Sequence, residues 1–379
     1  MRSSPPRALT VRNLVLAGGG HAHAVLLSRW RPRPGVQITL INPGQRAAYS
    51  GMLPGHVAGH YPLEALQIDL ARLCRRAGAR LIEGRVCGLD PDARNVQVMT
   101  AGGARTVTYD VLSLDVGGQG AVPPVTGAAH IIPARPLDAL AARWALHLEQ
   151  VRSGAVPPEV CITGAGAAGV ELALAAAHRL ARSGVRGPCV SLVEAGGEIT
   201  PGLPARARRT LLRKLDAAGI KRVTGARLTG ADAQGVTLAD GQRLPASLII
   251  AAAGVRAQDW LAGTGLALND GFVAVNAHLE SLSHRGVFAC GDCAHLDHAP
   301  RPKAGVYAVR AAPVLAHNLI AALEERDMQV FTPQRSYLHL IALGDKRALA
   351  VRNGLSLSGR WVWRIKDAID RRFMRQLSQ

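Results

Sequence analysis

The stretch VCITGAGAAGVELALA, residues 160–175, decides the fold. Its β-branched start, residues 160–163, predicts a buried strand. Gly164, Gly166 and Gly169 follow in G-x-G-x-x-G spacing, and residues 170–180 have the composition and periodicity of a helix. Gly164 permits a tight turn, Gly166 lets the backbone approach a pyrophosphate, and Gly169 lets helix and strand pack closely. The helix N-terminus then offers free N–H groups to the anion. The next apolar strand, 190–193, ends in Glu194. A carboxylate there can accept hydrogen bonds from a ribose hydroxyl pair and would repel a 2′-phosphate. That predicts NADH over NADPH, with NADPH open if an arginine from elsewhere recruits the phosphate. A Gly-rich turn alone is a weak signal; strand, helix and terminal acid in register make it specific.

The same plan occurs earlier in the chain. Residues 14–17 predict a strand, followed by Gly18-Gly19-Gly20-His21-Ala22-His23 and a helix over 22–31. His23 stands where the third glycine would be, and the following strand, 37–41, ends in Asn42, a weaker ribose partner than a carboxylate. Tyr49-Ser50-Gly51-Met52 opens an irregular loop. Residues 80–85 with Val86 predict a third parallel strand, leading into a meander over 96–99 and 106–109. Residues 109–118 return the chain to the sheet and end in a turn at Gly117. Pro123, Pro124, Pro133 and Pro136 mark a linker before a helix over 137–152.

After the organising stretch come a basic helix (205–218), strands at 222–223, 227–229 and 236–238, and an apolar strand over 248–254 closing at Gly254. Two copies of one plan predict two dinucleotide domains. Strands 272–275 and 287–289 follow. Gly291 and Asp292, at the carboxyl end of the second, are placed to meet ribityl or phosphate groups. Pro302-Lys303-Ala304-Gly305 opens a helix to about residue 323, whose N-terminal dipole would stabilise a reduced flavin. Asp292 lies between Cys290 and Cys293 and would raise their thiol pKa values, which argues against a redox pair. His21 and His23 have no third ligand nearby, so no metal site is predicted.

Composition bounds these readings. The chain has 379 residues, 48% apolar and 19% charged, which suits a globular protein of two or three domains. Its net charge of +18 points to acidic partners. Forty of the 45 basic residues are Arg, however, as a G+C-rich genome tends to encode. With no zinc-finger spacing and no RNA-binding aromatic motif, nucleic acid is not expected as a partner. Six scattered Cys show no disulfide framework. No apolar run is expected to approach the ~20 residues that span a bilayer, and residues 1–10 read as a mobile tail. A cytoplasmic protein with reduced thiols is predicted.

The C-terminal region is distinct. Residues 336–342 and 348–351 predict a hairpin, and 360–377 a helix with Trp361, Ile365, Ala368, Ile369, Phe373 and Leu377 on one face. Arg364, Lys366, Arg371, Arg372 and Arg375 populate the rest. A basic amphipathic helix suits an anionic membrane surface, as it does a helix docked on its own core or on a second copy in a homodimer.

LAGGGHAHAVLL (16–27), YSGMLPGHVAGHY (49–61), YDVLSLDVGG (109–118), GAGAAGVE (164–171), VFACGD (287–292) and PKAGVYAVR (302–310) together carry a resemblance. Over almost its whole length the chain resembles the FAD-dependent pyridine nucleotide-disulfide oxidoreductase superfamily. Within it, the chain resembles type II NADH dehydrogenases. It is also similar to a subgroup found as the N-terminal flavoprotein part of fused selenide, water dikinases. The resemblance implies an α/β fold like that of glutathione reductase, with a FAD domain (11–122 and 269–330) split by an NAD(P)H domain (123–268). A C-terminal region (331–379) follows.

FAD would lie among Gly18, Gly20, His21, Ala22 and Asn42, with Tyr49, Ser50, Gly51, Met52, Val86 and Gly117 over it. Gly291, Asp292, Lys303, Ala304 and Gly305 would complete that site. NADH would lie on Gly164, Gly166, Gly169, Glu194 and Gly254. The resemblance implies catalytic roles for Glu171, which would orient the nicotinamide carboxamide or relay a proton, and for Lys303 beside the reduced flavin. The acceptor it favours is a quinone, with the protein peripheral on the inner face of the cell membrane. A soluble reductase with a protein, thiol, oxygen or selenium acceptor, or a non-catalytic redox sensor, are the alternatives. The chain lacks the C-x-x-x-x-C of the disulfide reductases and has no dikinase domain, so neither dithiol relay nor selenium phosphorylation is expected.

Overall fold

The computed structural model describes residues 11–185 and 187–378; the tail of residues 1–10 lies outside them. Two five-stranded parallel sheets dominate. In the second, Glu159–Thr163 is the central strand, flanked by Leu248–Ala251 and Cys189–Glu194, with Ile131–Pro133 and Lys221–Thr224 outside. In the first, Arg12–Ala17 is central, flanked by Val111–Leu114 and Val36–Asn42, with Val287–Ala289 and Arg80–Glu83 outside. Strands such as Leu248–Ala251 and Val111–Leu114 are buried along their whole length, as parallel strands covered on both faces must be. The two sheets share one order. They differ in where the last outer strand comes from: later in the chain for the first sheet, earlier for the second.

Each central strand ends in its Gly turn, and each turn opens a helix, His21–Arg29 or Ala167–Ala181. Gly164 sits at φ +93, where L side chains are strained, and a Cβ on Gly169 would fall 1.8 Å from the Gly164 carbonyl oxygen. The turn is therefore tied to both glycines. In the first copy His23 replaces the third glycine by another means. Its buried ring bonds Gly18 O at 2.7 Å through Nδ1 and Ser113 Oγ at 2.7 Å through Nε2, pinning the loop to the neighbouring strand.

Several expectations need correction. The third parallel strand stops at Glu83; Val86 belongs to the antiparallel strand Arg85–Asp90, which starts the meander. The predicted linker contains the strand Ile131–Pro133, which Pro133 hides; the strand lies at the sheet's edge, where a missing N–H is tolerated. The C-terminal hairpin is a three-stranded sheet, His339–Ala342, Ala348–Arg352 and Leu355–Gly359. The helix Gly305–Glu324 is long and apolar enough to cross a membrane by length and composition, contrary to the expectation that no run approaches that limit. Half of that window is buried, and the helix packs against His21–Arg29.

The largest correction concerns the C-terminal helix, Arg360–Ser378. Its apolar face does not turn inward as a unit. Val362, Met374 and Leu377 are buried, but Trp361, Ile365 and Ile369 are 50%, 44% and 47% exposed. The inward face instead carries Lys366 and Asp370, 8% and 4% exposed, hydrogen-bonded to each other at 2.7 Å.

Candidate functional site

A cavity of about 1070 Å³ opens at the carboxyl ends of the first sheet, between Arg12–Ala17 and Val111–Leu114, where the strand order reverses. Open α/β sheets bind ligands at such a switch point. Of the residues expected at a flavin, Gly18, Gly20, His21, Asn42, Ser50, Val86, Gly117, Gly291, Asp292 and Gly305 line it. Ala22, Tyr49, Gly51 and Met52 do not line it. Ala304 is the residue before the helix that begins at Gly305. Lys303 is turned away: its Nζ donates to Ala294 O at 2.5 Å and sits 3.7 Å from the centre of the Phe272 ring. With its ammonium held by a carbonyl and an aromatic face, Lys303 does not line the cavity, so the role expected for it there is corrected.

The sequence did not single out Asp115, which dominates the cavity's floor. It is 3% exposed, and its Oδ2 accepts from the backbone N–H of Ala22 at 2.9 Å and of His23 at 3.2 Å. It thus caps the first Rossmann helix. Gly20 is required here, because a Cβ would fall 2.2 Å from the Asp115 carboxyl carbon. Burial pushes the Asp115 carboxyl up to about 7; its two backbone bonds oppose this and Asp292 adds to it. Asp292 is itself ion-paired with Arg135, two residues beyond the second sheet's outer strand Ile131–Pro133. Cys293 donates to the Leu114 and Cys290 carbonyls, and burial, with the Asp115 charge next, pushes its thiol up to about 12. That thiol stays protonated, as the sequence predicts for the C-x-x-C.

The cavity suits a dinucleotide on two structural grounds. It is as large as the bigger ligand pockets of proteins. His21 presents an Nε2 that is closed off from solvent and has no partner, an atom waiting for one. Burial lowers the His21 pKa to about 4, so the ring is neutral at neutral pH.

Ser50 lines the cavity, and the C-terminal helix lies against its neighbours Tyr49 and Gly51. Lys366 Nζ donates to Gly51 O at 2.6 Å, Tyr49 OH donates to Asp370 Oδ1 at 2.9 Å, and Phe373 packs on Tyr49 and His21 with ring centres 4.8 and 6.2 Å away. Glu171 completes the cluster from the second Rossmann helix. Its Oε1 accepts from Ala342 N at 2.7 Å. Burial pushes its carboxyl up to about 7, opposed by the Lys366 charge. Sequence reasoning missed Lys366 and Asp370 as site residues because an i, i+4 Lys–Asp pair reads as a solvated helix face.

The second Gly turn lies apart from this cavity. Gly164, Gly166 and Gly169 lie at the end of the central strand of their own sheet, and a Cβ on Gly166 would meet nothing within 4 Å. Gly254, at φ +104, follows the neighbouring strand. Glu194 sits beside the turn, its Oε2 accepting from Ala165 N at 2.6 Å and its Oε1 from Gly196 N at 2.8 Å.

Two Rossmann sheets, each with a Gly turn at the end of its central strand and a free or carboxylate-capped helix behind it, define a protein built to hold two dinucleotides. Residues 12–312 match the family model described as pyridine nucleotide-disulphide oxidoreductase, and the chain belongs to that family. It is 29% identical over 241 residues to an NADH dehydrogenase-like protein of Mycobacterium tuberculosis, covering 61% of this chain and 59% of that one. It is 30% identical over 224 residues to a type II NADH:quinone oxidoreductase of Haemophilus influenzae, covering 54% and 50%. The chain thus spans between half and three-fifths of the length of these relatives. The fold is shared with the sulfide:quinone oxidoreductase of Aquifex aeolicus, at 18% identity and a TM-score of 0.80 over 97% of this chain and 91% of that one. It is also shared with NDH2 of Plasmodium falciparum in complex with NADH, at 12% identity and a TM-score of 0.82 over 97% of both.

Proposed function

We propose that this chain is an NADH dehydrogenase that holds FAD in the large cavity, takes NADH on the second Gly turn and reduces a quinone. The observation that carries this reading is the pair of Gly turns, each at the end of the central strand of its own parallel sheet. Bound there, FAD would supply the hydride acceptor and the electron store. The protein's part is positional. Gly18 and Gly20 let a dinucleotide approach the first turn, His21 Nε2 offers a hydrogen bond, and Asn42 stands at the ribose end. Glu194, flanking the second turn, favours NADH over NADPH. Glu171, with its pKa near neutrality, holds or releases a proton at its carboxyl group, as reduction of a quinone requires. Lys366 keeps that carboxyl from rising further. The selenide, water dikinase-like subgroup rests on four of the six motifs quoted above, residues 16–27, 49–61, 109–118 and 302–310, and a selenium acceptor is the second reading, left standing if a quinone does not reoxidise the flavin.

An anaerobic NADH titration followed in the visible flavin band tests the reading. The band is expected to bleach, and a soluble quinone to restore it. A flavin-loaded protein that NADH never bleaches ends the dehydrogenase reading; bleaching without recovery removes the quinone.

The outward stripe Trp361, Ile365 and Ile369, joined by Leu355 and Leu357 at 75% and 57% exposure, gives the acceptor side an apolar face rimmed by Arg364, Arg371, Arg372 and Arg375. An interfacial helix on an anionic membrane has this arrangement. Deleting 360–379 is not the clean test that the sequence suggests, because Lys366 and Asp370 hold Gly51 and Tyr49, the neighbours of the cavity-lining Ser50. Replacing the three stripe residues by Ser leaves those contacts alone. We expect Trp361→Ser/Ile365→Ser/Ile369→Ser to lose co-sedimentation with anionic vesicles while flavin bleaching by NADH stays at its original rate. Undiminished vesicle binding would remove the anchor. A dimer that becomes a monomer in the variant would assign the stripe to a second copy.

A further inference from the structure

A second cavity, of about 340 Å³, opens at the surface behind the second Rossmann helix. His60, His178, Arg179, Arg182, Lys346 and Arg360 line it. They come from four separate stretches: the loop after the short helix Leu53–Val57, the end of helix Ala167–Ala181, the turn between the first two C-terminal strands, and the first residue of the C-terminal helix. Among the described residues, no carboxylate lies within 4.0 Å of the charged groups of Arg179, Arg182, Lys346 or Arg360. Asp345 also faces the cavity; Lys214 and Arg347 share its Oδ2, each at 3.7 Å, while its buried Oδ1 has no partner among the described residues. Four cations therefore converge on one concavity that holds, among the described residues, a single carboxylate, and none of the four is ion-paired with it. Two of them, Arg179 and Arg182, suit the negative end of the helix they finish. That does not account for Lys346, Arg360 or the paired imidazoles.

The cavity wall is also shaped for an anion. Gly59 has φ +80, and a Cβ there would fall 2.5 Å from Arg179 Nη1, so the guanidinium is laid against bare backbone rather than held by a carboxylate. The His60 and His178 rings lie 5.2 Å apart, and His60 Nε2 bonds Gly344 O at 2.7 Å. The carbonyl must accept, so Nε2 carries the proton and Nδ1 is left to titrate. Burial lowers both imidazole pKa values. Lys346 and Arg182 lower His60 further and Gly344 O and Asp345 oppose; His60, Arg182 and Arg179 lower His178 further and Asp345 opposes. An oxyanion among these groups reverses the sign of that field and favours protonated rings.

We propose that this cavity is a binding site for a phosphate oxyanion, held by Arg179, Arg182, Lys346 and Arg360 with the two imidazoles. Several charge-assisted bonds to one phosphate are the strong kind, and guanidinium forks match its geometry. The phosphate can be free or can head a lipid, since Arg360 adjoins the outward Trp361. The site is independent of the flavin reading and of the identity of the electron acceptor.

The test uses the purified flavin-loaded protein and the variant Arg182→Gln/Lys346→Gln, whose changed side chains are exposed and outside the large cavity. Inorganic phosphate is titrated calorimetrically into each, in two buffers of different ionisation heat. We expect phosphate binding with proton uptake in the unaltered protein and affinity weaker by about tenfold or more in the variant. In a second arm, vesicles of phosphatidylglycerol and of phosphatidylcholine are offered to both proteins. Weaker binding of the variant to the anionic vesicles, competed by inorganic phosphate, assigns the site to a lipid headgroup. Phosphate binding that the variant loses, with vesicle binding unchanged, assigns it to a free anion. Identical phosphate and vesicle binding by the two proteins overturns the proposal.

Discussion

Replacing Lys366 by Met is expected to destabilise the protein by about 3–5 kcal/mol, the usual effect of removing one partner from a buried ion pair. The side chain is 8% exposed, and its ammonium bonds both Asp370 Oδ2 and the Gly51 carbonyl. Met fills the space but leaves the Asp370 charge without its counter-ion and Gly51 O without a donor. The loss should show as a lowered Tm, and most of it should return in Lys366→Met/Asp370→Asn, where the unpaired charge is gone and Tyr49 OH still has an oxygen to meet. A second readout is specific to the site. The Lys366 charge opposes the rise of the Glu171 pKa. Without it, the acid limb of any activity that needs ionised Glu171 moves to higher pH. A variant as stable as the unaltered protein, with an unmoved pH profile, would contradict the burial of Lys366 between Asp370 and Gly51.

What the sequence made legible was local. Both Gly turns, the apolar strands that feed them and the helix Leu137–Arg152 could be read because the signal and its consequence lie within a few residues of each other. What it hid was tertiary. Asp115 sits in LDVGG, where an acid before glycines reads as a turn former; only the approach of the 20–23 backbone makes it a helix cap. Lys366 and Asp370 are buried by a loop more than 300 residues earlier in the chain, and nothing in their own helix announces it. Lys303 was misread for the related reason that its motif fixes the backbone and leaves the side chain free to find Ala294 O and Phe272. The third C-terminal strand did leave a trace, the Leu-Ser-Leu-Ser alternation of residues 355–358. That is period-two patterning with its leucines outward, the reverse of a sheet that buries its apolar face.

Replacing Asp115 by Asn is expected to stabilise the flavin-free protein at about pH 8 by up to ~4 kcal/mol and to change little near pH 4. The sign follows from the raised carboxyl. Between the unfolded value of 3.8 and the folded value of about 7, the native state keeps a proton that the unfolded chain has released. Stability therefore falls as pH rises through that window, and the loss is complete above it. Asn has no proton to lose, while its Oδ1 can still accept from the Ala22 and His23 N–H groups. His21 and His23, whose pKa values burial lowers to about 4, contribute with the opposite sign, stability rising with pH up to 6.5. They are common to both proteins and cancel in the difference. Melting curves of the two proteins across this range should diverge as pH rises. The same substitution bears on the cofactor. The N–H groups that Asp115 occupies are those of a Rossmann helix N-terminus, where a pyrophosphate would compete with a carboxylate that ionises near neutrality. Flavin retention should therefore weaken on the alkaline side of neutrality in the unaltered protein and not in Asp115→Asn. Equal flavin loss by both proteins as pH rises would mean that the carboxylate and the pyrophosphate do not share that helix end.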